Sequence, residues 1–306
     1  MLMLTLVAPP ESRLALDAAL EAAAGVLSRS GAHPQASSEL GAGEAYDLAF
    51  DASAPSDVFA EIRRAVAAVG RFDLALQPAA GRSRRLLVAD MESTVIENEM
   101  LDELATLVGA GERVAGITAR AMNGELDFRE ALRERVGLLE GLSVEALDGC
   151  RSRVRLDAGA RVLLGTLKAE GFKTALVSGG FMHFAEPVAS QLGFDHCQAN
   201  RLEVKGGQLT GRVLEPVLDR DAKVRALDRF ADAHGLARVD AVTVGDGAND
   251  LAMLQASGLG VAYRGKPAVA AAAPQRVDAG DLSTLLYFLG IPKTRWVEDP
   301  SSSPHP

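Results

Sequence analysis

The stretch RRLLVADMESTVIENE, residues 84–99, runs an apolar segment directly into two carboxylates. Leu86 to Ala89 form a continuous apolar run, which is typical of a strand that is buried on both faces of a parallel sheet. Asp90 ends this run, and Glu92 follows two residues later. Because ligands of open α/β sheets bind outside the carboxyl ends of the strands, this stretch predicts a strand that carries acidic groups into a functional site.

Three further apolar runs continue the pattern along the chain, namely TALVSGG (174–180), AVTVGDGAND (241–250) and GLGVAY (258–263). Helical patterns separate them, so we expect a parallel sheet whose strands are joined by right-handed helical crossovers. The first two of these runs end on residues that favour turns for purely structural reasons. Taken together with Asp90, however, they favour phosphate or metal chemistry at one edge of the sheet: Ser178, Gly179, Gly180, Asp246 and Gly247.

Composition narrows the classes of function that the chain can have. A length of 306 residues with 48% hydrophobic content supports one or two domains with full cores. A net charge of −9 disfavours nucleic acid as a partner, since binding to the phosphate backbone requires a basic face. Only two cysteines occur, Cys150 and Cys197, and their spacing suits neither a disulfide framework nor a zinc site. With no leader and no long apolar run expected, the sequence predicts a cytoplasmic protein without a membrane partner.

The segment PAAGRSRR, residues 78–85, interrupts the apolar periodicity and predicts a linker. Before it, the order strand, helix, strand, helix, strand predicts a small α/β sandwich domain over residues 1–80, with helices at about 12–29 and 57–69 and Ser56 as the second N-cap. This order resembles regulatory modules of the ACT type. The alternative is a dimerisation domain, which would give a homodimer, or a domain that serves only for packing.

The motifs after residue 84 resemble the haloacid dehalogenase superfamily of phosphatases, whose signature begins with an Asp-x-Asp pair after the first strand. Four segments narrow the resemblance to the phosphoserine phosphatase family: DMESTVIENEMLDELA, AMNGELDFREALRERVGLLEGL, LVSGGF and VGDGANDLAML. The resemblance covers residues 84–290 and implies an α/β fold, a Rossmann-like parallel sheet with a helical cap at about 97–165. It also implies Mg²⁺-dependent hydrolysis of O-phosphoserine to serine and phosphate, the last step of serine biosynthesis.

The same resemblance assigns the acidic residues to catalysis and metal binding. It makes Asp90 the nucleophile that forms an aspartyl-phosphate, which splits one difficult displacement into two easier ones. A carboxylate that attacks a phosphate dianion needs a cation to offset the charge, and Mg²⁺ takes oxygen ligands. The implied ligands are Asp90, Asp246 and the backbone carbonyl of Glu92, with Asp250 supporting them. An acid that faces solvent at a helix start is the alternative for Asp250.

Phosphate binding is assigned to the residues after the second core strand. Ser178 can donate its hydroxyl, and Gly179 and Gly180 let backbone N–H groups approach phosphoryl oxygens closely. The resemblance adds the cation of Lys223 and the amide of Asn249 to this pocket. For these two residues the alternatives are a solvated surface lysine and a helix cap.

Substrate recognition is expected in the predicted cap. Asp127 and Glu130 form a capping box that opens a helix, and Arg135 falls within the apolar stripe of that helix, together with Phe128, Leu132 and Leu139. An arginine in that position either extends to solvent or holds an anion. The resemblance favours the substrate's carboxylate, and it matches Glu99 to the substrate's ammonium group. Met122 and Phe128 match apolar positions of the cap.

Glu92 is where the chain departs from the Asp-x-Asp pattern. In the family the second acid protonates the leaving oxygen and then deprotonates the attacking water. The extra methylene of Glu displaces the carboxyl by about a bond length, and misplacements of ~1 Å cost on the order of 10²-fold in rate. Either a small adjustment restores the geometry, or the chain is a slow-turnover sensor of phosphoserine or amino acids. A phosphatase or phosphotransferase for another small phosphomonoester is the remaining alternative.

Two further segments complete the prediction. LEVKGGQLTGRV, residues 202–213, predicts a β-hairpin that forms either an edge or a flap beside the site. The tail over residues 297–306 has too little apolar content to pack and is expected to be disordered.

Overall fold

Eleven β-strands join into one mixed sheet within the residues that this computed structural model describes, which are 1–32, 34–51, 57–122 and 125–297. In chain order the strands are β1 (Leu2–Val7), β2 (Pro34–Gly41), β3 (Ala45–Phe50), β4 (Asp73–Pro78), β5 (Leu86–Ala89), β6 (Lys173–Phe181), β7 (His196–Lys205), β8 (Gln208–Leu214), β9 (Ala241–Gly245), β10 (Leu259–Tyr263) and β11 (Gln275–Val277). Across the sheet the order is β2-β3-β1-β4-β11-β10-β9-β5-β6-β7-β8.

Helices connect most of these strands, and two of them belong to the N-terminal region. In chain order the helices are α1 (Leu16–Arg29), α2 (Val58–Ala67), α3 (Met100–Leu107), α4 (Gly111–Met122), α5 (Phe128–Gly137), α6 (Val144–Gly149), α7 (Ala160–Ala169), α8 (Met182–Leu192), α9 (Arg220–Ala233), α10 (Leu251–Ala256), α11 (Pro267–Ala272) and α12 (Thr284–Phe288). Among the described residues, no helix is both long and apolar enough to cross a membrane.

The parallel core predicted from the apolar runs is confirmed. Strands β11, β10, β9, β5, β6 and β7 run parallel, and β5 lies between β9 and β6. All four residues of β5 are fully buried, and they alternate between two hydrophobic clusters on opposite faces of the sheet. This burial explains the continuous apolar run. The carboxyl ends of β5, β6 and β9 therefore meet at one edge of the sheet.

The N-terminal region packs α1 and α2 on one face of β1–β4, so both predicted helices are present. The sequence did not predict β2, whose residues 34–39 are all exposed at the outer edge of the sheet and therefore show no apolar alternation. Ser56, the predicted N-cap, lies outside the described residues, as do the side chain of Met122 and residues 298–306 of the predicted tail.

The N-terminal strands join the core sheet instead of forming a sheet of their own. β4 pairs antiparallel with β11, where Leu74 lies opposite Arg276. Sequence analysis did not predict β11, which is only three residues long. Because β11 is so short, the sequence contains no apolar run that indicates the junction of β4 with β11.

The segment predicted as a linker connects β4 to β5, and it contains a largely buried arginine. The guanidinium of Arg82 pairs with the buried carboxylate of Asp47 and donates to Thr5 Oγ1 at 2.8 Å. It also donates to the carbonyl oxygens of Tyr287 at 2.7 Å and Phe288 at 2.9 Å. Arg82 thus connects the N-terminal strands to the C-terminal helix α12.

Helices α3 to α6 lie between β5 and β6, where the cap was predicted. A bridge between Ile96 and Leu156 brackets this insertion, whereas α7 packs against β6, α8 and α12 of the core. The capping box of Asp127 and Glu130 at the start of α5 is confirmed. The predicted hairpin is also confirmed, since β7 and β8 pair antiparallel, and β8 forms the edge of the sheet and packs against α5.

Candidate active site

Three buried aspartates meet at the carboxyl edge of the parallel sheet. Asp90 follows β5, Asp246 follows β9, and Asp250 directly precedes α10. One carboxylate oxygen from each residue lies within 4.8 Å of the others. The fold therefore brings together the three aspartates, Asp90, Asp246 and Asp250, that were predicted from the sequence to lie in one site.

Lys223 of α9 lies beneath these acids with only 1% of its surface exposed. Its Nζ is 2.8 Å from Asp90 Oδ1 and also pairs with Asp250 Oδ1. Although burial opposes the ammonium form, the carboxylates of Asp250 and Asp90 raise the pKa of Lys223 above its ordinary value. Lys223 is therefore a buried cation and not a solvated surface lysine.

The charges at this point do not balance without a further cation. Three carboxylates share one buried ammonium, and Lys266, which is half exposed, adds a contact of 3.3 Å to Asp246 Oδ2. Burial raises the pKa of Asp246 to about 6 and that of Asp90 well above its usual range. A divalent cation with oxygen ligands would remove this imbalance, so the donor set fits such an ion.

The two oxygens of Asp250 are already engaged by the protein. Oδ1 accepts from Lys223, and Oδ2 accepts from the backbone N–H of Gly247 at 3.0 Å. In Asp90, by contrast, Oδ1 accepts from Lys223 and from the Met91 N–H at 2.8 Å. Asp90 and Asp246 are therefore the better candidate ligands, while Asp250 positions Lys223 and the turn after β9.

Gly179 and Gly180 lie inside β6, just before its last residue Phe181, where the pairing of β6 with β7 shifts register. This irregular segment, called the glycine turn below, forms one wall of the site. Ser178 is fully buried, and its Oγ accepts from the Gly180 N–H at 2.9 Å. The side-chain amide of Asn200, on β7, donates to the carbonyl of Gly179 at 2.7 Å, and its oxygen accepts from the Leu218 N–H at 2.7 Å. Asn200 therefore fixes the position of the turn.

A cleft with a cavity volume of about 170 Å³ opens between the sheet edge and the inserted helices. It is lined by Asp90, Glu92, Glu99, Leu101, Phe128, Leu132, Arg135, Gly179, Gly180, Phe181, Asp246, Asn249 and Lys266. Three predicted site residues, Ser178, Lys223 and Asp250, lie buried behind this lining. The cleft thus brings the predicted phosphate-binding, acidic and cap residues onto one surface.

Glu92 lies where the sheet edge meets the inserted helices. Its Oε1 accepts from the backbone N–H of Met100, at the start of α3, at 2.8 Å. Its carboxyl group packs so closely on Gly180 that a methyl group there would lie 2.5 Å from Oε2. Burial, and secondly the carboxylate of Glu99, raise the pKa of Glu92 to about 8.

Arg135 and Glu99 supply opposite charges on the cap side of the cleft. Arg135 is half buried on α5, as its place in the apolar stripe predicts, and its Nε donates to the Ala131 carbonyl at 3.2 Å. In the described part of the chain its two terminal nitrogens have no hydrogen-bond partner. Glu99 accepts from Ser93 Oγ at 2.8 Å. A guanidinium group in a cleft whose two terminal nitrogens are free to donate can bind both oxygens of a carboxylate ligand.

Two residues of this site, Lys266 and Asn200, were not predicted from the sequence. Lys266 lies three residues beyond the end of β10, so the rule that selected Asp90 and Asp246 would have found it had it been applied to this strand. Asn200 lies within β7 and carries no local sequence signal, because its role depends on the pairing of β7 with β6.

Comparison with known proteins agrees with this geometry. Residues 87–255 match the haloacid dehalogenase-like hydrolases, and the chain belongs to this family. A phosphoserine phosphatase of Streptomyces coelicolor is 48% identical over 210 residues, which are 69% of this chain and 51% of that protein. The chain thus spans about half the length of this relative.

Two further similarities cover more of the compared protein. A phosphoserine phosphatase of Lactococcus lactis is 44% identical over 207 residues, 68% of this chain and 96% of that protein. The crystal structure of a probable phosphoserine phosphatase from Vibrio cholerae, in its unliganded form, superposes with a TM-score of 0.75 at 32% identity. That superposition covers 96% of this chain and 88% of the other, so the similarity includes the N-terminal region.

Proposed function

We propose that this chain hydrolyses O-phosphoserine to serine and phosphate, with Mg²⁺ as cofactor, in the last step of serine biosynthesis. The observation that carries the proposal is a single cleft that offers a complementary group to each charged part of this substrate. The turn at Gly179 and Gly180 suits the phosphate, Arg135 the carboxylate, and Glu99 the ammonium group. The relatives in Streptomyces coelicolor and Lactococcus lactis are named for this activity.

Asp90 is the proposed nucleophile. Its Oδ1 is held by Lys223 and the Met91 N–H, which fixes the plane of the carboxylate. Attack forms a bond from a carboxylate oxygen of Asp90 to phosphorus, breaks the bond from phosphorus to the serine oxygen, and leaves an aspartyl-phosphate. The ammonium of Lys223 offsets part of the negative charge, and the amide of Asn249 lines the same wall of the cleft.

Glu92 is the proposed proton donor and acceptor. Its carboxyl packs directly on Gly180 of the turn proposed to bind phosphate. In the first step its proton passes to the departing serine oxygen. In the second, the carboxylate takes a proton from the water that attacks phosphorus, and the bond to Asp90 breaks. Phosphate and the free Asp90 carboxylate result. The Met100 N–H holds the Glu92 side chain in place.

The proposed ligands of Mg²⁺ are Asp90, Asp246 and the backbone carbonyl of Glu92, with Asp250 supporting the site through Lys223 and the Gly247 N–H. When bound, the ion would neutralise charge on the phosphoryl oxygens and so lower the repulsion that the attacking carboxylate meets. Within the described residues, the three carboxylates of Asp90, Asp246 and Asp250 contact two ammonium groups, which leaves a negative charge for a cation to balance and supports this assignment.

Several finer features belong to the same proposal. We assign residues 84–290 to a Rossmann-like phosphatase core with a cap at about 97–165. Residues 1–80 form an ACT-like regulatory or dimerisation unit, which the packing of two helices on one face of four strands supports. A homodimer through this unit is proposed, and two free cysteines suit the cytoplasm.

Release of phosphate from O-phosphoserine, with and without Mg²⁺, tests the proposal. Phosphoethanolamine is the matched comparison, because it keeps the phosphate and the ammonium group but lacks the carboxylate. We expect release that depends on Mg²⁺ and a clear preference for O-phosphoserine. Equal rates on both compounds would instead favour another small phosphomonoester as substrate. If neither compound releases phosphate, the proposed phosphatase activity is contradicted.

A further inference from the structure

A second cleft, with a cavity volume of about 360 Å³, lies where the N-terminal region meets the core. Its walls come from α2 and β4 on one side and from β11 and the turn after it on the other. It shares no lining residue with the candidate active site. Any ligand of this cleft would therefore be bound separately from the substrate.

Three arginines line this second cleft, and they have few partners. Arg63, on α2, stacks over the ring of Phe59 at 4.4 Å and donates a long hydrogen bond to the Leu74 carbonyl, at 3.5 Å. Within the described ranges no carboxylate lies within ion-pair distance of Arg63. Arg71 donates to the backbone carbonyl of Asp278 at 3.1 Å, and Arg276 pairs with the Asp278 carboxylate at 2.9 Å.

The neighbouring acid, Asp73, is directed to the backbone. Its two oxygens accept from the N–H groups of Asp278, Ala279 and Gly280 at 2.7, 3.0 and 2.7 Å. These bonds fix the turn after β11. Even with Asp73 counted, three guanidinium groups face two carboxylates, so the second cleft carries an excess of positive charge.

The excess of positive charge in the second cleft is energetically unfavourable at Arg63, because this side chain is partly buried. Burial, and then the like charge of Arg276, lower the pKa of Arg63 to about 10. Among the described residues Arg63 has no ion pair, and its stacking on Phe59 and its long hydrogen bond to the Leu74 carbonyl replace only part of the hydration that burial removes. A bound anion would supply the missing partner and relieve the repulsion between Arg63 and Arg276.

We infer that the second cleft binds a small organic oxyanion, a carboxylate or a phosphate ester of metabolite size. The planar forks of Arg63, Arg71 and Arg276 match the oxygen spacing of either group. Val66, Phe72 and Leu74 line the same cleft and provide an apolar surface for the rest of the ligand.

Such a ligand would bridge the two parts of the chain. The backbone pairing between β4 and β11 is a single residue pair, Leu74 with Arg276. The side chain of Gln275 adds bonds to the Leu76 backbone at 2.7 and 3.2 Å. An oxyanion held by Arg63 on one side and Arg276 on the other would add contacts across this short junction, so binding would raise the unfolding temperature.

Calorimetric titration of the whole chain with phenylacetate and with phenyl phosphate tests this inference, and neutral phenylacetamide serves as the uncharged control. We expect at least one of the anions to bind to the second cleft and phenylacetamide not to bind. Arg63→Met and Arg276→Met should each weaken that binding by about tenfold or more, which corresponds to ~1.4 kcal/mol. Arg64→Met, exposed on the same helix, is the matched control and should leave binding unchanged.

The arms of this experiment separate the possible outcomes. Loss of phenylacetate binding in the two variants identifies a carboxylate ligand, and loss of one phenyl phosphate site identifies a phosphate ester. Thermal unfolding checks that Arg63→Met and Arg276→Met remain folded, and phosphate release should be unchanged because neither residue lines the active cleft. Failure of both anions to bind, or binding that neither variant weakens, would overturn the inference.

Discussion

Replacing Arg135 by lysine isolates the contact that we assign to the substrate's carboxylate. Lysine keeps the positive charge but loses the planar fork, so it cannot pair with both oxygens of a carboxylate. In the structure the terminal nitrogens of Arg135 have no partner in the described part of the chain, and the side chain lines the cleft. The substitution therefore removes few contacts within the protein, and its effect on binding should dominate.

The expected size follows from the contact that is lost. A hydrogen bond to a charged group contributes about 1.5–3 kcal/mol, so kcat/KM for O-phosphoserine should fall roughly 10- to 150-fold. Phosphoethanolamine has no carboxylate, and its hydrolysis should change much less. Steady-state phosphate release with both compounds measures the difference. Arg133→Lys, two residues earlier on α5 and exposed, is the control that should affect neither compound.

Equal losses on both compounds would show that Arg135 does not bind the substrate's carboxylate. Arg135 would then act through the packing of α5 or the charge of the cleft, and the choice of O-phosphoserine as substrate would rest on the similarity to known phosphatases alone. A loss shared by Arg133→Lys would point to a general effect of charge on this helix instead.

Three further predictions concern proton transfer, the glycine turn and stability. Glu92→Gln should remove most activity, whereas Glu92→Asp should stay within about tenfold of the parent, or ~1.4 kcal/mol, and an active Gln variant would exclude the acid and base role. Gly180→Ala should lower kcat by on the order of 10²-fold, because its methyl would lie 2.5 Å from Glu92 Oε2; Gly137→Ala, with open space around it, is the control in the same assay. Arg82→Met should cost about 3–5 kcal/mol in urea unfolding, since it leaves the buried Asp47 carboxylate unpaired, and a loss below 1 kcal/mol would show that the pair is replaceable.

Much of the site was predictable because a parallel sheet collects the ends of its strands at one edge. The apolar runs located β5, β6 and β9, and the residues at or just beyond the ends of these strands, Asp90, Gly180 and Asp246, meet there as expected. Helical periodicity also predicted that Arg135 lies on the cleft side of α5, because all residues of an apolar stripe lie on the same face of a helix.

The features that the sequence did not reveal depend on contacts between distant segments. Asn200 acts only because β7 lies beside β6, and Arg82 is buried only because α12 returns to cover the N-terminal strands. The junction of β4 with β11 rests on one pair of residues, which leaves no periodic signal. These contacts are set by tertiary packing, which local patterns do not encode.

Trapping a phosphorylated form of the chain tests whether Asp90 is the nucleophile in the proposed hydrolysis of O-phosphoserine. Rapid quenching of a reaction with radiolabelled O-phosphoserine and Mg²⁺ should give transiently labelled protein, with the label mapped to the peptide that contains Asp90. Asp90→Asn, folded as judged by its unfolding transition, should carry no label and release no phosphate, because an amide is a far poorer nucleophile than a carboxylate. Label on another residue, or near-normal phosphate release by the folded Asp90→Asn variant, would show that Asp90 is not the nucleophile.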